Sequence, residues 1–203
     1  MRALLYLLAV SLWAFAFPAS AENVTQPFMN VGSVTVPPAG WTNFCERNPE
    51  ECVPQVSHPH KMAMTRNNWR TLEEVNWWIN DSLTPVSDMV HWGVVEHWDL
   101  PTDGKGDCED FALLKRKILL NYGWPIEALL ITVVRDLKGD GHAVLTVSTT
   151  MGDFVLDNRR SSILYWFQTG YTFVKRQSQS DLLVWERLDG NSKPAAVAAA
   201  EAK

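Results

Sequence analysis

The chain is predicted to fold as an α+β domain, on three observations. Two stretches carry apolar residues at helical spacing; beyond residue 125 the pattern becomes short β-rich runs divided by turn signals; and the helices precede the strands instead of alternating with them. That order suits helices packed on one face of an antiparallel sheet. With 203 residues, 46% of them hydrophobic, the chain can bury a sizeable core. A net charge of −5 and the lack of any basic run of five or more argue against nucleic acid as a partner.

The elements follow in order. Met1-Arg2 precedes an apolar run from Ala3 to Phe17, broken by Pro18 and closed by Ala19-Ser20-Ala21. One positive charge, an apolar core and an A-x-A end make residues 1–21 a secretory signal peptide. The run is shorter than the ~20 apolar residues of a membrane span. No later segment is apolar enough to span a bilayer, so the mature chain is expected from about Glu22 in an oxidising, exported space. Residues 22–68 read as an irregular arm with one short strand, Val31 to Val36. Cys45 and Cys52 close a hydrophilic loop that reads as a local disulfide in such a compartment. A metal site there would lack any C-x2-C or His-x3-His partner pattern.

Trp69, Leu72, Val75, Trp78 and Ile79 mark a first helix, and Thr84-Pro85 punctuates after it. Asp99 to Gly106 is an acidic, glycine-containing loop. A second helix should begin close to Cys108, with Phe111, Leu114, Ile118 and Tyr122 as its apolar stripe. Acids at its start and Lys115, Arg116 and Lys117 later match the helix dipole, and Gly123 with Pro125 stops it. Strands are expected at Ala128 to Arg135, His142 to Thr149, Phe154 to Asp157, Tyr171 to Arg176 and Leu182 to Arg187. The first two are joined by a tight turn at Lys138 to Gly141. The predicted domain covers 22–189, and the alanine-rich 190–203 reads as a disordered tail.

Three residue types converge on this outline. Cys108 is left over once Cys45 and Cys52 pair, and it opens a helix, where unsatisfied N–H groups favour a thiolate. His142 opens a strand and Asp157 ends the next one, so an antiparallel ladder makes them neighbours. A thiol, an imidazole that takes its proton and a carboxylate that fixes the imidazole tautomer form a nucleophilic triad. Backbone N–H groups at the helix start, or a side chain such as Asn76, are candidates for holding an oxyanion. Asp107, Glu109 and Asp110 oppose the thiolate by like charge. They cap the helix, or Asp107 and Glu109, with Asp103, offer oxygen ligands to a hard cation such as Ca2+. Most of Trp69, Trp77, Trp78, Trp92 and Trp98 are expected in the core, with Trp98 best placed to line a groove. His58, His60, His91 and His97 read as surface or packing residues.

The blocks Gly106-Asp107-Cys108-Glu109-Asp110-Phe111, Gly141-His142-Ala143-Val144-Leu145-Thr146-Val147 and Val155-Leu156-Asp157-Asn158 resemble the bacterial transglutaminase-like cysteine proteinases. The upstream run from Trp41 to Cys52 and Val75-Asn76 are similar too, so the resemblance spans roughly residues 40–187. It implies a papain-like or transglutaminase-like core with Cys108, His142 and Asp157 as the triad and Ca2+ held by Asp107 and Glu109. The LapG-type periplasmic proteases of this family cut large surface adhesins and release biofilm cells. An inner-membrane cyclic-di-GMP receptor restrains them. The expectation is therefore a periplasmic, calcium-dependent cysteine endopeptidase with a protein substrate. Acyl transfer to an amine, as in transglutaminases, and a non-catalytic calcium-dependent binding module are the alternatives.

Overall fold

A seven-stranded antiparallel sheet organises the computed structural model, which describes residues 26–54 and 58–188. The predicted signal peptide and the predicted tail lie outside these residues. The N-terminal elements are β1 (Val31–Thr35), α1 (Ala39–Arg47), α2 (Arg66–Ser82), β2 (Thr84–Pro85), α3 (Asp88–His91) and β3 (Lys105–Gly106). Then come α4 (Cys108–Asn121), β4 (Leu129–Arg135), β5 (Gly141–Thr149), β6 (Gly152–Leu156), β7 (Leu164–Tyr165), β8 (Thr172–Gln177) and β9 (Trp185–Leu188). The sheet order is β1-β9-β8-β4-β5-β6-β7, and β2 and β3 form a separate parallel pair. The fold is α+β as expected, with α4 against β4 and β5 and α2 against α4.

The sheet is covered on both sides. Phe111, Ala112, Leu113 and Leu119 of α4 and Leu72, Val75 and Ile79 of α2 pack with Leu129, Ile131, Leu145 and Val147. A smaller cluster of Met29, Val134, Val144, Val155, Tyr171, Phe173 and Leu188 is separate from it. Each fully buried Leu, Ile or Phe contributes about 1.5–3 kcal/mol.

Several expectations change. The arm at 22–68 contains a helix, α1, whose composition hides it: Gly40, Thr42 and Asn43 are weak helix formers. Tertiary contact makes it, through buried Trp41 and Phe44. A Cys45–Cys52 disulfide ties its last turn to the following 3-10 turn (Pro49–Glu51). The buried face of α4 is shifted and broader than predicted: Leu114 and Ile118 are only partly buried and Tyr122 is exposed, while Lys115, Arg116 and Leu119 are buried. In a helix lodged between a sheet and a second helix, those side chains cannot reach solvent. Of the five tryptophans assigned mostly to the core, only Trp98 is buried; Trp77, Trp78 and Trp92 are exposed, and Trp69 is half-buried against Phe154. The inward face of α2 is set by Leu72, Val75, Asn76 and Ile79, which turns positions 77 and 78 outward. The buried tryptophans are Trp41, Trp98, Trp124 and Trp185, and of these Trp41, Trp98 and Trp185 are in mutual ring contact at 6.2–6.5 Å between centroids.

Gly40 is where α1 meets that cluster. A Cβ there would fall inside the Trp98 indole. Gly40→Ala is expected to cost about 1–3 kcal/mol, the usual penalty of overpacking. A urea midpoint equal to that of the parent would refute the close approach.

Candidate active site

Cys108 stands at the first position of α4, where chain direction and burial are both fixed locally. Asp110 accepts a hydrogen bond from the Asp107 backbone N–H at 3.2 Å, one half of a capping box. Gly106 lets that turn close, since a Cβ there would lie 2.5 Å from Asp110 Oδ2. The Cys108 thiol donates to Glu109 Oε2 at 3.1 Å, and the Ala143 N–H, on β5, points at Sγ from 3.4 Å. Cys108 and His142 line one cleft of roughly 470 Å3, together with Gly40, Glu96, Trp98 and Lys175. Among the described residues no hydrogen bond joins Sγ to the imidazole.

The β5–β6 ladder brings His142 to Asp157. Leu145 pairs with Leu156, so Asp157 lies one step past the end of β6, near the start of β5. His142 Nε2 is 2.9 Å from Asp157 Oδ1 in a buried pair. Burial works against the Asp157 charge, but hydrogen bonds from His142, Tyr171 and the Arg159 N–H outweigh it and hold the carboxyl at about 2. An ionised carboxylate only accepts, so Nε2 carries the proton. Nδ1 is then the lone-pair nitrogen; it is buried and has no hydrogen-bond partner. That is the tautomer a general base needs.

Asp157 is held from more sides than its position suggested. The Tyr171 hydroxyl donates to Oδ2 at 2.6 Å, and the Arg159 N–H donates to Oδ1 at 3.0 Å. Asn80 of α2 donates to the Asp157 carbonyl at 2.9 Å and to that of Arg160 at 3.0 Å. Asn76 is no oxyanion donor: its amide bonds the Arg160 and Ser161 carbonyls, and its oxygen accepts from Lys115 at 2.8 Å. Asn76 and Lys115 are both 0% exposed. They instead link α2 and α4 to the loop after Asp157.

Carboxylates crowd Cys108. Ligand atoms of Asp107, Cys108 and Glu109 lie within 4.8 Å of one another, and so do those of Asp88, Asp107 and Asp110. Asp88, which the sequence did not flag, arrives through the β2–β3 pair: Pro85 sits beside Gly106, and the Asp88 N–H donates to Asp107 Oδ2 at 3.3 Å. Asp103 lies outside both groups and pairs with His91 at 2.9 Å. His91 and His97 both pack on the Trp92 ring. Burial, then the Glu109 charge and hydrogen bond, push the Cys108 thiol well above its ordinary value, against the opposing Ala143 N–H. Burial followed by the neighbouring Asp107 carboxyl raises Glu109 strongly. Burial likewise raises Asp88, and it brings Asp110 to about 7.

Cation chemistry fits this donor set. Asp88 and Asp110 are each 2% exposed, Asp107 Oδ1 is buried without a partner, and no lysine or arginine is ion-paired with any of the three among the described residues. Three carboxylate ligands suit a hard divalent ion such as Ca2+.

A family model described as bacterial transglutaminase-like cysteine proteinase matches residues 31–193, well over half of the chain. Among solved structures, calcium-bound LapG of Legionella pneumophila is 30% identical, with a TM-score of 0.49 over 54% of this chain and 64% of that chain. EGTA-treated LapG of the same organism is 30% identical, with a TM-score of 0.48 over 54% of this chain and 62% of that one. The matches thus span less than two thirds of the length of those LapG chains. No curated protein matches the chain.

Proposed function

The chain belongs to the bacterial transglutaminase-like cysteine proteinase family, and from that premise we propose that it is an exported, calcium-dependent cysteine endopeptidase acting through Cys108, His142 and Asp157. The observation that carries the proposal is that Cys108, the one free cysteine among the described residues, lines a common cleft with His142, whose ring is held in a buried pair with Asp157. His142 Nδ1 takes the thiol proton as Sγ attacks a peptide carbonyl. The same nitrogen returns the proton to the leaving amine, and water then hydrolyses the thioester to release the enzyme. In this reading, backbone N–H groups at the start of α4 stabilise the developing oxyanion.

Signal-peptide features in residues 1–21 support a periplasmic site of action. Within that reading, the substrate is an exported protein such as a large surface adhesin, cleavage releases cells from biofilm, and an inner-membrane receptor is the regulator. A proteomic comparison of cell surface and periplasm tests it, using cells producing the wild-type protein or Cys108→Ala. A fragment generated only by the wild type identifies the substrate; identical profiles would sink the endopeptidase reading. Labelled-amine incorporation outpacing hydrolysis would point to acyl transfer instead.

Calcium is proposed on Asp107, the member common to both carboxylate groups, completed by Asp88 and Asp110. Glu109, the expected second ligand, shares Asp107 with Cys108 in the other group, where one of the three ligand atoms is the thiol. When bound, the ion supplies positive charge that offsets the carboxylates around the nucleophile. Asp88→Asn is expected to weaken calcium binding by tenfold or more, on the order of one lost ligand charge. Glu109→Gln should weaken it much less. Calorimetric titration with CaCl2 decides, and the reverse ranking would return the site to Asp107 and Glu109.

A further inference from the structure

We propose that Tyr171 is a positioning residue of this site: its hydroxyl, 2.6 Å from Asp157 Oδ2, fixes the carboxylate so that Oδ1 holds His142 in the Nε2–H form. The inference rests on the triad reading above and deepens it. A terminal carboxylate torsion is broad and intrinsically loose, so one strong donor on each oxygen is needed to set its plane. Oδ1 has two, His142 Nε2 and the Arg159 N–H. Arg160 Nε stands 4.0 Å from Oδ2, beyond hydrogen-bond reach.

Tyr171 is itself held firmly enough to serve. It is 3% exposed, and its N–H donates to Thr169 Oγ1 at 3.2 Å. Its ring meets the His142 ring edge-on, 5.7 Å between centroids at 85°, while the Arg160 guanidinium lies 5.3 Å from its centroid. The one side chain therefore buttresses the imidazole ring and orients the carboxylate that the imidazole reads. If Tyr171 only filled space, phenylalanine would replace it at no cost to the site. If it positions Asp157, phenylalanine frees Oδ2, the carboxylate turns, and the Nε2–H bond loosens.

Two measurements separate these cases without needing a known substrate. In 15N-histidine-labelled Cys108→Ala protein, the ring nitrogens of neutral His142 should report a single Nε2–H tautomer. In Cys108→Ala/Tyr171→Phe they should report a mixture. On the intact nucleophile, iodoacetamide alkylation of Cys108 should be about 3- to 10-fold slower in Tyr171→Phe than in the wild type, the scale of one lost hydrogen bond. The melting temperature should fall by no more than about 10 °C, the cost of leaving the buried Oδ2 without its donor, with the fold intact. Added to Asp157→Asn, the same substitution should slow alkylation no further, because its effect passes through Asp157. An unchanged tautomer with a wild-type alkylation rate overturns the proposal. If His142→Ala also alkylates at the wild-type rate, the triad reading fails with it; if His142→Ala is slow and Tyr171→Phe is not, only the role of Tyr171 falls.

Discussion

Cys108→Ala should reduce proteolysis by the purified protein at least about 10⁴-fold, the scale seen when a covalent nucleophile is removed. The melting temperature should stay within about 2 °C of the parent. The side chain is partly buried at the cleft and makes two polar contacts, with Glu109 and the Ala143 N–H. Its deletion leaves the cap formed by Asp107 and Asp110 and the α4 core untouched. His142→Ala should cost nearly as much activity, and the double variant little more, since the two groups act as one unit. Iodoacetamide should modify the native protein at a single residue, because Cys45 and Cys52 are joined. Retained proteolysis in Cys108→Ala would remove the nucleophile from the scheme. Resistance of Cys108 to alkylation in the calcium-loaded protein would do the same.

What sequence could foresee about this site follows from which interactions are local. His142 and Asp157 were predictable neighbours because a short hairpin and a strand period of two fix the ladder between them. Cys108 was recognisable from its acidic first turn and the count of cysteines. Asp88 was hidden because it depends on a two-residue parallel pair that brings Pro85 to Gly106 across twenty-one positions. Tyr171 was hidden because it precedes β8, a strand that is not a neighbour of β6 in the sheet. Periodicity places a residue on a face but says nothing of what another element lays against it. For the same reason α1 escaped notice, its Trp41 and Phe44 having meaning only beside Trp98 and Trp185. Lys115 was the sharpest reversal: a base in the later half of a helix reads as a solvated partner of the dipole, yet here it is fully buried.

That burial makes stability depend on pH in a definite direction. Burial lowers the Lys115 ammonium to about 7 from an ordinary 10.5, with the Asp157 charge restoring part of the loss. Below pH 7 the lysine is protonated both folded and unfolded, and pH has no leverage through it. Between about pH 7 and 10.5 the unfolded chain holds a proton that the folded chain has released, so stability rises with pH by up to about 1.4 kcal/mol per unit. Asp110, brought to about 7, and Glu109 and Cys108, also raised, act with the opposite sign, because their folded forms keep protons that the unfolded chain gives up. The contribution of Lys115 is therefore isolated by the difference between the parent and Lys115→Met, in which these groups cancel. Leaving Asn76 Oδ1 without its donor adds a constant offset of about 1–3 kcal/mol but no slope. Urea unfolding at pH 6, 7, 8 and 9 should show the parent gaining on the variant only above pH 7, by roughly 2 kcal/mol at pH 9. A flat difference across that range would mean that Lys115 stays charged in the folded protein. Its bond to Asn76 would then be charge-assisted, tying the nucleophile helix more tightly to the loop behind Asp157.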